Sequence, residues 1–170
     1  MSVIIRPARA SEIGRLQEIE RDAAVRFRDV GLDALAEGEP NDAAFIHSLM
    51  QHGEVLGAES EGPLVGFVLA GRLDDALHIY EISVAPTHGG RGIGAALLDA
   101  IADRAHDRGM GVLTLSTFAD VPWNAPFYAR RGFALVEESA WTPAFFVLRS
   151  LERAAGLPLE RRIFMRKELS

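Results

Sequence analysis

Gly90-Arg91-Gly92-Ile93-Gly94, preceded by Gly89, is the stretch of this chain best placed to do chemistry. An alternating apolar run from His78 to Val84 enters it, and an amphipathic pattern beginning Ala95-Ala96-Leu97-Leu98 leaves it. A strand that turns through glycine into a helix presents successive backbone N–H groups, and the helix N-terminus adds partial positive charge. Such a turn holds a diphosphate, and Arg91 can add a charge-assisted contact to a phosphate oxygen. The spacing excludes two common versions of this chemistry. A P-loop requires a Lys-Ser/Thr pair after its last glycine, and none follows here. A dinucleotide-binding turn requires G-x-G-x-x-G, and Gly94 comes one residue early.

A second motif lies downstream. Thr114 to Phe118 reads as a strand and Ala119 to Trp123 as a loop. Asn124-Ala125-Pro126-Phe127-Tyr128 then opens a short helix that stops at Gly132-Phe133. Asn124 is a good N-cap, Pro126 is tolerated in a first turn, and Gly132 suits a C-terminal cap.

Together the two motifs resemble those of the GNAT acetyltransferases. That family's cofactor turn follows a Val-x-Pro strand end, as Gly89–Gly94 follows Val84-Ala85-Pro86 here. Gly89 departs from the pattern, standing where the family usually has Gln or Arg. The later run is similar to the family's Asn, Tyr and Gly-Phe signature, and Trp123-Asn124-Ala125-Pro126-Phe127-Tyr128 resembles that of a bacterial subgroup. The resemblance implies that acetyl-CoA is the co-substrate. It would be held by the backbone of Ile82, Val84, Gly89, Gly90, Arg91, Gly92, Ile93 and Gly94, with the Asn124 side chain on the pantetheine arm.

The implied reaction is direct attack of a neutral amine on the thioester. The carbonyl oxygen needs a fixed donor, which in the family is a backbone N–H on the strand before the turn, here near Ile82. The departing sulfur needs a proton or a hydrogen bond, and Tyr128 matches the family's tyrosine near that sulfur. The ammonium acceptor must lose a proton to a base. His78, Tyr80 and Glu81 lie on the strand where family members place such groups, so the resemblance leaves the choice open. Simple alternation puts His78, Tyr80 and Ile82 on one face and Glu81 on the other; a bulge would bring Glu81 back. Glu81 is the first choice, because an unpaired carboxylate between apolar residues is costly. Its alternative is a core carboxylate paired with an arginine or a backbone donor. His78 is the second, with an ordinary pKa near ~6.5; its alternative is a surface residue at a strand end.

The elements that must position these groups follow from periodicity. Residues 3–9 read as a strand, and a helix beginning at Ser11 buries Ile13, Leu16, Ile19, Ala23 and Phe27. Residues 28–40 are less regular. Asn41 or Asp42 caps a helix through His52. Strands follow at 55–60, 64–73 and 76–84, with a hairpin signal at Glu61-Gly62-Pro63. The cofactor helix spans 92–108, with later strands at 112–117, 133–137 and 161–169. A segment at 141–157, helical around Pro143 to Leu151, interrupts the short hairpin expected between the last two strands. The expected fold is a single α/β domain over residues 1–170, with a mixed, mostly antiparallel sheet flanked by helices and a helical insertion before the last strand. The acceptor pocket is expected between residues 28–40, the 78–82 strand and the insertion, with Phe27, Trp123 and Phe145 as apolar walls and Tyr80 contacting substrate.

Composition bounds the rest. The chain has 170 residues, no cysteine and a formal charge of −6. No disulfide or thiolate chemistry is available, and no His pair has metal-site spacing, so no metal is expected. The acidic balance argues against nucleic acid as a partner and favours a cationic acceptor. No apolar run approaches the ~20 residues of a membrane helix, and the N-terminal residues lack the long apolar run of a signal peptide, so a cytoplasmic protein without membrane contact is expected. The functional expectation is transfer of an acetyl group to a small-molecule primary amine. A protein N-terminus or lysine as acceptor, and a catalytically silent acyl-CoA sensor, are the alternatives. The exposed edges of the late strands would allow a homodimer.

Overall fold

The computed structural model describes residues 2–170. Its strands are β1 (Ile4–Pro7), β2 (Glu54–Glu59), β3 (Leu64–Leu73), β4 (Ala76–Val84), β5 (Val112–Phe118), β6 (Ala134–Leu135) and β7 (Arg162–Glu168). Its helices are α1 (Ile13–Ala24), α2 (Asp33–Ala36), α3 (Ala43–His52), α4 (Ile93–Asp107), α5 (Ala125–Ala129) and α6 (Pro143–Ala154). The strands form one seven-stranded sheet in the order β1-β2-β3-β4-β5-β7-β6. Every neighbouring pair is antiparallel except β4 and β5. This is the mixed, mostly antiparallel α/β domain that the residue pattern predicts.

The sheet has two covered faces. Val68, Ala70, Leu77 and Ile79 pack with α4 through Leu97, Leu98 and Ile101, and α5 adds Ala125 and Tyr128 on that side. Phe67 and Leu69 face α1 and α3 through Leu16, Ile19, Ile46 and Leu49. β3 is buried on both faces, which is why it reads as an almost unbroken apolar run. Asp42 caps α3 by accepting the Phe45 N–H at 2.7 Å. No helix among the described residues is long and apolar enough to cross a membrane.

The insertion contains α6, which covers the α1/α3 face beside β7. Thr142 ties its start to the β3–β4 turn, its hydroxyl donating to Asp74 at 2.6 Å. Phe145 does not wall the acceptor pocket as expected. It stacks on Phe164 at 4.5 Å in a separate small core with Val136 and Trp141, because it lies on the sheet-facing side of α6. The strand expected at 133–137 shrinks to β6, since Phe133 and Val136 on either side turn inward.

Candidate active site

β4 ends at Val84 and leads through a single turn, Pro86–His88, into the glycines. Gly90 (φ +73°) and Gly92 (φ +80°) adopt the left-handed conformation. A side chain there costs about 1–2 kcal/mol. A Cβ added at either would meet no atom within 4 Å, so the outer side of the turn is open. The first bond inside α4 runs from Ala96 N–H to Gly92. The N–H groups of Ile93, Gly94 and Ala95 therefore lack helical acceptors, and Gly92 has no side chain to cap them. The turn thus has the open geometry and unpaired N–H groups that suit an anion, at the start of a 15-residue helix.

β4 and β5 are paired only over Leu77–Ile79 and Leu113–Leu115. Beyond them β5 continues against β7, while β4 continues against β3. A wedge opens between β4 and β5. The divergence begins at a β-bulge, where Glu81 lies opposite Leu69 and Ile79 opposite Ala70, leaving Tyr80 as the extra residue. A bulge bends and overtwists its strand, which separates it from a straight neighbour. Ala85 donates to Val65 of β3 at 2.7 Å. Backbone direction alternates along a strand, so Ile82 and Val84 point their N–H groups away from β3, into the wedge.

The bulge also settles which side chains share a face. Glu81 aligns with Leu69 and Ser83 with Phe67, both on the α1/α3 face, while Ile82 and Val84 pack toward α4. Tyr80 packs on the α1/α3 face too. The simple alternation is thus corrected: Tyr80 and Glu81 share one face and Ile82 leaves it. A cavity of about 690 Å³ fills the wedge. Tyr80, Glu81, Ile82, Asn124 and Tyr128 line it, with Phe27 and Trp123 as apolar walls and residues 31–40 and 155–158 at its sides. Asn124 stands at the N-cap of α5, yet its side chain makes no cap bond.

Residues 16–133 match the acetyltransferase (GNAT) family model. This chain belongs to the GNAT acetyltransferase family. It is similar to L-2,4-diaminobutyric acid acetyltransferase of Nocardia farcinica, 31% identical over 101 residues. That match covers 55% of this chain and 52% of the relative, so about half of the relative's length is spanned. Solved structures share the fold. PaiA N-acetyltransferase of Thermoplasma acidophilum, in complex with coenzyme A, superposes with a TM-score of 0.72 at 16% identity and 99% coverage of both chains. N-acetylglutamate synthase of Neisseria gonorrhoeae, in complex with coenzyme A and N-acetyl-glutamate, gives 0.74 at 20% identity, covering all of this chain and 36% of that one.

Within this GNAT domain, the two nominated bases sit in different settings. Glu81 accepts a hydrogen bond from Ser83 Oγ at 2.9 Å and has no ion-pair partner among the described residues. Burial, and then the nearby Glu20 carboxylate, push its pKa up to about 8. His78 is only 2% exposed, so its reading as a surface strand-end residue is overturned. Its Nδ1 lies 2.8 Å from Thr114 Oγ1, and burial lowers its pKa to about 4. It borders a smaller cleft of about 240 Å³ under α6, with Leu148 and Glu152, and not the main cavity. Parallel pairing with β5 and the cover of α6 bury it, and neither was visible in β4 alone. Tyr128 is raised well above an ordinary phenol by burial and then by Glu81. Phe127 and Phe133 fix its ring edge-on at 5.2 and 5.6 Å.

Four charged residues at or beside the cavity were not anticipated. Glu20, Arg26 and Arg162 line it. Glu20 did carry a signal: it falls on the helical stripe of Ile13 and Leu16. Arg162 is held by Glu152 of the insertion at 2.6 Å and reaches Ser116 Oγ at 2.9 Å, while Ser116 donates to Glu152 at 2.7 Å. Glu152 is 9% exposed, with Arg149 Nε 3.6 Å away. Glu152→Gln removes the charge that compensates two arginines. Its expected cost is about 2 kcal/mol of folding free energy, read from urea unfolding; an unchanged midpoint would show that the network contributes nothing.

Proposed function

We propose that this GNAT domain transfers an acetyl group from acetyl-CoA to the primary amine of a small molecule. The observation that carries the reading is the wedge: one cavity joins the unpaired N–H edge of β4, a poised carboxylate and a buried phenol, and β4 runs on from it into the glycine turn at the start of α4. Acetyl-CoA supplies the activated acyl group as a thioester. The N–H groups at the start of α4 and the glycine turn suit its diphosphate, and the uncapped Asn124 amide suits the pantetheine arm. The Ile82 N–H is assigned to the acyl oxygen, where a fixed donor gains strength as charge develops. Glu81 takes the proton from the attacking amine, and Tyr128 donates to the departing sulfur. Carboxylates in the cavity favour a cationic acceptor, and the Nocardia farcinica relative is named for a small diamino acid.

Titration calorimetry with acetyl-CoA, with desulfo-CoA and NADH as comparisons, followed by thiol release over a panel of amines, tests this. One-site acetyl-CoA binding and amine-dependent release are expected. Binding without release from any amine would favour a silent acyl-CoA sensor, and no binding at millimolar acetyl-CoA would end the reading. A gain-of-function variant sharpens the test. Gly89 has φ −65° and ψ 154°, open to any residue, and a Cβ there comes no closer than 3.5 Å to Pro86 O. Gly89→Gln is therefore expected to tighten acetyl-CoA binding by about three- to tenfold, the worth of one added hydrogen bond. A weakened affinity would show that Gly89 is required for close approach.

A further inference from the structure

The charged groups around the cavity do not balance one another. Arg21 pairs with Glu39 at 3.8 Å, and Arg162 with Glu152 at 2.6 Å. Among the described residues neither Glu20 nor Glu81 forms an ion pair, although Arg21 and Arg162 lie near enough to favour their charged forms. Glu20 is fixed by neutral donors only, the Asn41 N–H at 3.1 Å and Nδ2 at 3.1 and 3.2 Å. Two enclosed carboxyl groups near one another, oriented by amides and hydroxyls, resist ionising together, and a ligand that brings positive charge offsets that cost.

The opposite need arises at Arg26, which rests on Trp123. The Trp123 indole Nε1 is buried and has no hydrogen-bond partner among the described residues. The Arg26 guanidinium lies over the same ring, 4.4 Å from its centroid, and Arg26 has no acidic partner among the described residues. Arg26 is exposed at the cavity rim, and Trp123 lines the wall below it. The indole ring beneath it fixes the guanidinium at the rim, where its paired N–H groups are open to an anion, and a carboxylate accepts two of them.

We propose that the acceptor is a small diamino carboxylic acid, with Glu81 taking the amine that reacts, Glu20 holding the second ammonium, and Arg26, steadied on the Trp123 ring, receiving the carboxylate. This rests on the transferase reading above and adds the residues that set specificity. Two cations and one anion on the ligand match Glu81, Glu20 and Arg26; Asp33, a further lining carboxylate without an ion pair among the described residues, is exposed to solvent. Glu20 and Arg26 act as specificity determinants, distinct from the groups assigned to bond making.

Matched acceptors test it in the thiol-release assay with the whole chain. 2,4-Diaminobutyrate is compared with 1,3-diaminopropane, which lacks only the carboxylate, and with 4-aminobutanoate, which lacks only the α-amine. A five-carbon series repeats the comparison. The diamino acid is expected to exceed both analogues at least tenfold in kcat/KM in one series. Glu20→Gln should lower the diamino acid to aminobutanoate ratio about tenfold, mainly through KM, and Arg26→Gln should do the same to the diamino acid to diamine ratio. Equal kcat/KM for the three acceptors in both series, or ratios unmoved by both variants, would overturn the inference while leaving amine acetylation standing. No release from any amine would instead overturn the transferase reading, and this inference with it. If Glu20→Gln loses its Asn41 anchor and fails to fold, the wild-type ranking and Arg26→Gln still decide.

Discussion

Tyr128→Phe is expected to lower kcat by about 10²–10³-fold while changing the acetyl-CoA Kd by less than about twofold, the loss typical of removing one donor used mainly as charge develops. The ring would remain in place, since Phe127 and Phe133 hold it by its edges and Phe satisfies the same packing. Burial and the Glu81 charge keep the phenol protonated well beyond its ordinary range. Tyr128 thus acts as a hydrogen-bond donor at every working pH, and the defect should be uniform from about pH 6 to 9. Single-turnover kinetics with saturating acetyl-CoA would isolate the step. Wild-type kcat in the variant would make Tyr128 a packing residue.

Glu81→Gln is the second large effect. A base must be deprotonated to work, so wild-type kcat/KM should climb with pH to a plateau, with a midpoint near the carboxyl's pKa of about 8. The variant should lose that limb and fall by about 10²–10⁴-fold on the plateau. Stability should move the other way. Below the ordinary value of 4.5 the carboxyl is protonated in folded and unfolded chains alike, and Glu81 adds no pH dependence. Between 4.5 and about 8 the folded chain keeps a proton that the unfolded chain has lost, so stability falls as pH rises. Above about 8 the full penalty of the buried charge is present. Glu81→Gln removes it, so thermal unfolding at pH 9 should show a less active but more stable protein. A variant destabilised at pH 9 would mean that the ionised carboxylate has a compensating partner, and would remove the case for a poised base.

Most of the fold was legible in the residues because its signals are local. The αL positions of Gly90 and Gly92, the cap at Asp42, the unbroken apolar run of β3 and the helical spacing of α4 each depend on neighbours in sequence. The conditional reading of Glu81 was also local in part, since a carboxylate inside an apolar strand signals a cost that something must offset. The limits appear where the chain returns on itself. His78 looks like an exposed strand end until β5 and α6 bury it, and Phe145 looks like a pocket wall until Phe164 of β7 stacks on it. Glu20 lay on an apolar helical stripe, but only the approach of Asn41 and Glu81 gives it a setting.

By itself, then, the sequence determined the strand–glycine turn–helix cradle, the Asn124–Tyr128 helix, the order of elements and the acidic character of the chain. These follow from backbone sterics, hydrogen-bond periodicity and composition, which act over a few residues. Tertiary structure alone decided that β4 parts from β5 at Tyr80, that Tyr80 and Glu81 share a face, and that Glu20, Arg26 and Trp123 meet around one cavity. Those outcomes depend on strand register and on burial shared between residues far apart in the chain, and a one-residue bulge is enough to exchange the faces of everything beyond it.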